Sequence, residues 1–166
     1  MSHQPVIDGF EFASAGATQR GVLPVGGFSR LRDLLASDAG EVSYELRGTR
    51  DEHGRPSLRL AVRGVLQLRC QRCLEAMPFE VRAEDLLVLA ATQAEIDAEP
   101  IDADAPDRVV AGREMALAEL VEDELILALP YAPRHEGCQG GAAPGRGAGR
   151  SPFAGLRSLM RGKPTH

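Results

Sequence analysis

Three cysteines and four histidines are the residues of this chain best suited to site chemistry, and their spacing singles out two short runs. Cys70-Gln71-Arg72-Cys73 sets two thiols three positions apart, a spacing at which one tight turn can turn both sulfurs toward a single metal ion. A structural zinc needs four donors, so this pair alone is insufficient. The third cysteine, Cys138, follows His135 by three positions. Cys70, Cys73, His135 and Cys138 together form a three-thiolate, one-imidazole set, formally complete for a structural zinc. About sixty residues separate the two halves, far more than in compact zinc fingers, so ordinary turn cysteines remain the competing reading. A thioredoxin-like redox pair would sit at a helix N-terminus beside a βαβ pattern, and the sequence shows neither.

No catalytic constellation accompanies these residues. His3, His53 and His166 lie in termini or turn-like stretches, without a Gly-x-Ser-x-Gly elbow, a phosphate-binding loop or a dinucleotide fingerprint. Glu122-Asp123-Glu124 reads as the solvated face of a helix. The expectation is a protein that is not an enzyme.

The net charge of −5 argues against a generally basic nucleic-acid binder, and 4% aromatic residues leave little material for base stacking. The charge is unevenly placed, however. Glu84 to Asp107 holds eight acids and no base, Arg47 to Arg82 holds eight arginines against four acids, and the chain beyond Gln139 holds five bases and no acid. Arg59, Arg63, Arg69 and Arg72 cluster around the Cys-x-x-Cys run, and guanidiniums sharing one exposed face could grip phosphates through paired hydrogen bonds. The alternative is that they balance Glu75, Glu80 and the acidic stretch within the fold.

The elements that must position these residues follow from periodicity. Residues 1–27 read as loops with one or two edge strands, and Phe28 to Ser37 as a short helix capped by Ser29. Val42, Tyr44 and Leu46 alternate with polar residues, as do Leu58, Leu60 and Val62 beyond the turn chemistry of residues 51–56. Met77 to Arg82 and Leu86 to Ala90 supply one or two further strands. Residues 92–107 read as an acidic exposed loop, and Arg113 to Leu129 as an amphipathic helix stopped by Pro130, with Glu119, Glu122 and Asp123 facing water. The fold expected is α+β, an antiparallel sheet of about five strands with a long amphipathic helix packed on one face, ending in a flexible C-terminal tail. It occupies residues 1–138. A Gly-, Ala- and Arg-rich linker follows over 139–150, then an amphipathic tail helix over 151–166 whose Phe153, Leu156 and Leu159 could dock a protein partner. No signal peptide and no membrane-length apolar run is visible, so a cytoplasmic protein with reduced thiols is expected, without membrane contact.

Three blocks in order carry a resemblance. Leu68-Arg69-Cys70-Gln71-Arg72-Cys73-Leu74-Glu75 resembles the signature of the YceD family. Residues 121–130, Val-Glu-Asp-Glu-Leu-Ile-Leu-Ala-Leu-Pro, followed by Pro133 and His135, resemble its second block. Ser151-Pro152-Phe153-Ala154-Gly155-Leu156 is similar to the Asn-Pro-Phe-Ala segment that closes many members. The resemblance implies a ribosome-biogenesis factor needed for accumulation of large-subunit (23S) ribosomal RNA, acting in its synthesis, processing or stability. Ribosomal RNA or a pre-50S particle would be its partner, and the family is not known for enzymatic activity. Members with a fuller set of cysteines after the second block are suspected of binding metal; this chain keeps Cys138 with His135. The alternative function is a protein adaptor, in which the acidic loop and tail helix hold partners and RNA is affected indirectly.

Overall fold

A computed structural model describes residues 5–100, 102 and 104–138. The expected linker and tail, with Phe153, Leu156 and Leu159, lie outside the described residues.

Strand β1 (Val6–Ile7) leads into helix α1 (Gly9–Ser14), whose N-terminus is capped by Asp8 accepting the Glu11 N–H at 3.0 Å. Strands β2 (Thr18–Pro24), β3 (Leu35–Ser37), β4 (Glu41–Arg50), β5 (Pro56–Arg69) and β6 (Ala76–Ala90) follow, with two 3₁₀ turns between β2 and β3. Helix α2 (Gln93–Asp97), the short strands β7 (Arg108–Val110) and β8 (Met115–Ala116), and helix α3 (Leu117–Ala128) complete the described chain. The main sheet runs β2-β4-β5-β6-β7, with β3 paired to β5 alongside the end of β4, and β1 pairs with β8 in a separate ribbon. All pairings are antiparallel except β6 with β7.

The long strands form because polarity alternates along them. Val42, Tyr44 and Leu46 of β4 and Leu58, Leu60, Val62, Leu66 and Leu68 of β5 all turn inward and are buried, while Ser43, Arg47, Arg59, Arg63 and Arg69 turn outward. The β5–β6 ladder keeps one register from Ser57 opposite Val88 to Arg69 opposite Ala76. Helix α1 rests on β4 at Gly48, where any side chain would collide with the Phe12 carbonyl and the Ala13 backbone. Gly48 therefore serves close approach of a helix to a strand.

The expectation of an α+β fold is corrected to a mainly β one. Of the described residues 42% are in strands and 22% helical, and α3 alone exceeds seven residues. The reasons are local. Ala83 to Asp85 continue the alternation between the two segments read as separate strands, so β6 is one 15-residue strand. The start of the expected helix at residues 113–129 is diverted, because Met115 and Ala116 pair with β1, and α3 is left with 12 residues. The N-terminal stretch supplies the two strands allowed for there, β1 and β2, and adds helix α1 where a loop was expected.

Phe28 to Ser37 also departs from the helix expected there: a 3₁₀ turn over Arg32–Leu34 leads into β3, whose Leu35 and Ser37 pair with β5. Glu122 meets the start of this segment: the residue is only 4% exposed, and its carboxylate accepts the backbone N–H groups of Arg30 at 2.6 Å and Leu31 at 3.1 Å. In a helix beginning at Ser29 these would be first-turn donors with no intrahelical acceptor, so the carboxylate caps the start of the segment. Arg30 closes the arrangement through its Nε to Glu122 at 3.1 Å and its Nη1 to Asp123 at 2.5 Å. Phe28 and Leu31 are thus fixed in the core, and Leu35 to Ser37 become β3. Glu122, expected in water, is the buried clasp between α3 and this segment.

Glu122→Ala should cost about 3 kcal/mol of unfolding free energy, because it orphans two buried N–H groups bonded to a charge. Glu122→Gln, which keeps an acceptor, should cost about half as much. Urea titration of the full chain checks both values.

Candidate metal centre

The two cysteine-bearing segments meet at the end of the long hairpin. Cys70 follows β5 directly, and a turn carries the chain through Cys73 to β6. The turn is closed by Cys70 N–H to the Glu75 carbonyl and Leu74 N–H to the Cys70 carbonyl, both 2.9 Å. Leu74 adopts φ +64°, a left-handed conformation that a branched side chain takes at a cost of about 1 kcal/mol. Such local strain is a recurrent companion of binding sites.

The second half arrives after α3. Pro130 follows the helix C-terminus, and residues 131–138 run back to the hairpin end, where Gln71 N–H donates to the Pro133 carbonyl at 2.8 Å. Cys138 N–H donates to the His135 carbonyl at 3.2 Å across Gly137, which takes φ +70°. Arg72 then spans the two halves, its Nη1 donating to the Cys138 carbonyl at 2.5 Å.

The donor atoms of Cys70, Cys73, His135 and Cys138 all lie within 4.8 Å of one another. The sulfurs of Cys70 and Cys138 are 3.8 Å apart, and the Cys73 sulfur is 3.4 Å from Nδ1 of His135. Both distances match the edges of a tetrahedral site, in which metal–sulfur bonds of about 2.3 Å and metal–nitrogen bonds of about 2.0 Å set ligands about 3.5 to 3.8 Å apart. They are far too long for a disulfide, whose sulfurs stand about 2.05 Å apart, and all three cysteines are free thiols.

The surroundings prepare the ligands. Nε2 of His135 lies 3.2 Å from the Ala76 carbonyl, which can only accept, so Nε2 carries the proton and Nδ1 presents its lone pair to the centre. The backbone N–H of Cys73, joined by those of His135 and Arg72, points at the Cys70 sulfur and outweighs its burial, pulling that thiol down from 9.0 to about 5. Cys73 receives the Glu75 backbone N–H, which favours its thiolate. Burial and the neighbouring sulfurs of Cys70 and Cys138 prevail, however, and hold it above its ordinary value. Hydrogen bonding to Cys138, then to the Ala76 carbonyl and Cys70, raises the His135 pKa. Three sulfurs around an imidazole thus compete for protons, and a divalent cation in their midst would relieve that competition. The four residues can hold one metal ion.

Of the arginines singled out beside the cysteines, Arg59 pairs with Glu84 at 3.0 Å on the outer sheet face, and Arg72 is engaged within the metal centre. Arg63 and Arg69 project from the same face of β5 as Arg59, exposed. Reading the sequence missed Arg82, which stands directly opposite Arg63 across the β5–β6 ladder. The signal was available in the alternation of β6, but needed the register to be heard. The outward rows of β2, β4, β5 and β6 carry six arginines (20, 47, 59, 63, 69, 82) against four glutamates (41, 45, 80, 84). Arg20 and Arg47 share Glu45, Arg59 takes Glu84 and Arg82 takes Glu80.

A mainly β scaffold with a knuckle closing its longest hairpin is the class that fold and site define. The family model described as Large ribosomal RNA subunit accumulation protein YceD matches residues 58–159, from β5 through the metal centre and into the tail, and the chain belongs to that family. No curated protein and no solved structure matches the chain. Among the described residues no helix is long and apolar enough to cross a membrane.

Cobalt(II) added to the reduced protein is expected to produce thiolate charge-transfer bands and the strong visible absorption of a tetrahedral ion, saturating at one ion per chain. Cys138→Ser should weaken that binding by at least about tenfold. Affinity should fall as pH is lowered, because metal and protons compete for the same sulfurs.

Proposed function

We propose that the chain promotes large-subunit ribosomal RNA accumulation as a binding protein without catalysis of its own, holding RNA or a pre-ribosomal particle against the outer face of its main sheet. Membership of the YceD family supplies the ribosomal context. The observation that carries RNA contact is the Arg63–Arg82 pair. Like charges directly opposite on neighbouring strands oppose folding; Glu80 offsets Arg82, but no acid among the described residues is paired with Arg63. A phosphate placed between the two guanidiniums would turn that repulsion into two charge-assisted contacts. Arg69 extends the row toward the knuckle, about 20 Å further along β5 at ~3.3 Å per residue, a span of several phosphates along a strand.

The metal centre fits the same reading as a structural part. Three cysteine sulfurs and one imidazole within 4.8 Å of one another, with a backbone carbonyl orienting the histidine, are the donors zinc prefers in closed sites. Zinc would supply no reaction there. Cys70 and Cys73 would hold the hairpin end, His135 and Cys138 the exit of α3, and the arginine row would stay in place under load.

Charge reversal of both Arg63 and Arg82 to Glu should weaken binding of the full chain to 23S ribosomal RNA fragments by at least about tenfold. The slope of log affinity against log salt should fall by one to two. Unchanged affinity with the fold intact would sink RNA contact by this face and favour the adaptor reading, in which proteins are the direct partners.

A further inference from the structure

The second feature of the molecule that calls for a ligand lies on the opposite side, where α3 meets β6 and β7. A groove of about 300 Å³ opens there, with Leu87, Val109, Leu120, Ile126 and Leu127 on its walls and Glu124 among them. Leu127 is 70% exposed, an apolar side chain with nothing over it among the described residues.

Glu124 is the anomaly. It is 7% exposed, and burial together with the carboxylates of Asp85 and Asp107 pushes its pKa upward, with no basic side chain among the described residues to offset them. Two arginines also line the groove, but both are spent elsewhere: Arg30 on Glu122 and Asp123, Arg108 on Glu99. The buried Nε of Arg108 in turn has no acceptor among the described residues. A buried carboxylate facing two others, beside an unmet donor, leaves the groove short of a cation and an acceptor at once.

The chain's own sequence contains a matching segment. Beyond Gln139 it holds five bases and no acid, and Phe153, Leu156, Leu159 and Met160 recur at helical spacing with Arg157 and Arg161 between and beside them. The family match, residues 58–159, takes in most of this segment together with the four candidate ligands. Reach is sufficient. Leu127 is six residues from Pro133, at most about 20 Å of chain, and Pro133 is bonded to the hairpin end beside Cys70. Twelve residues, the length of 139–150, span at most about 40 Å, and a Gly-rich coil of that length would average about 20 Å.

We propose that the groove between α3 and β7 is the docking site of the chain's own segment 151–163, with Phe153, Leu156 and Leu159 covering its apolar walls and Arg157 or Arg161 meeting Glu124. The apolar side chains are withdrawn from water on both sides and the buried carboxylate gains the cation it lacks. Docking would tie the tail to the face opposite the arginine row, leaving that row uncovered.

Hydrogen exchange on the full chain tests this. Phe153→Ala with Leu156→Ala lies outside the described core, and should speed exchange of residues 108–110 and 124–129 by roughly tenfold while leaving β4 and β5 unchanged. Glu124→Gln should move the same amides in the same direction. Were the groove empty, Glu124→Gln would remove a buried unpaired charge and slow them. Exchange unaltered by the tail variant, or slowed by Glu124→Gln, overturns the proposal. Protection that rises with protein concentration also overturns it, since a second copy's tail would then be the occupant.

Discussion

Thirteen consecutive residue pairs join β5 to β6, from Ser57 opposite Val88 to Arg69 opposite Ala76, and the rest of the molecule is arranged around that ladder. Its register decides what is inside. With the pairing as it stands, Leu58, Leu60, Val62, Leu66 and Leu68 reach the core while Arg59, Arg63 and Arg69 reach solvent. A slip of one residue in either strand would change every facing pair and set that strand's apolar residues against water. The ladder also fixes the hairpin end, because Arg69 opposite Ala76 leaves just six residues, 70–75, to reverse the chain. Two cysteines three positions apart in so short a connection have little choice but to converge.

Strands alone would leave α3 poorly tied, since its contacts with β5 and β6 come from one apolar stripe of Leu117, Leu120, Val121 and Leu125. Two polar devices tie it further. In the body of the helix, Glu122 holds the backbone of Arg30 and Leu31, linking residues about ninety positions apart. Beyond its end, His135 and Cys138 close on Cys70 and Cys73. Both work because few donors or acceptors are left over in a small core, where unmet ones are costly. Cys70 is itself fully buried, so the centre is continuous with the core.

The four-residue cluster was legible in the sequence because ligand chemistry is local: Cys-x-x-Cys and His-x-x-Cys each announce half a candidate site, and the structure brings Cys70, Cys73, His135 and Cys138 together. The alternation of β4 and of the first half of β5 was equally plain, since a strand's faces depend on nothing but its own order. What could not be read were consequences of distant partners. Residues 28–37 have a helical pattern, yet β5 recruits Leu35 and Ser37 into a strand. Met115 and Ala116 suit a helix, yet β1 recruits them. These departures together make the fold mainly β where α+β was expected. Charges were the least legible of all. Arg72, placed by sequence among the RNA contacts, bridges the two halves of the centre, while Arg82 came to notice only when the register put it opposite Arg63.

The resulting account has two faces with different work. Among the described residues one side of the sheet is uncovered and has more arginines than acids; the other carries α3 and an acidic, apolar groove. The most direct measurement is ultraviolet crosslinking of the full chain to RNA in growing cells, with the crosslinked peptides sequenced. The account predicts adducts with large-subunit ribosomal RNA on the outward residues of β5 and β6, around Arg63, Arg69 and Arg82. Adducts confined to the α3 side, or none above background while the protein is abundant and folded, would contradict it.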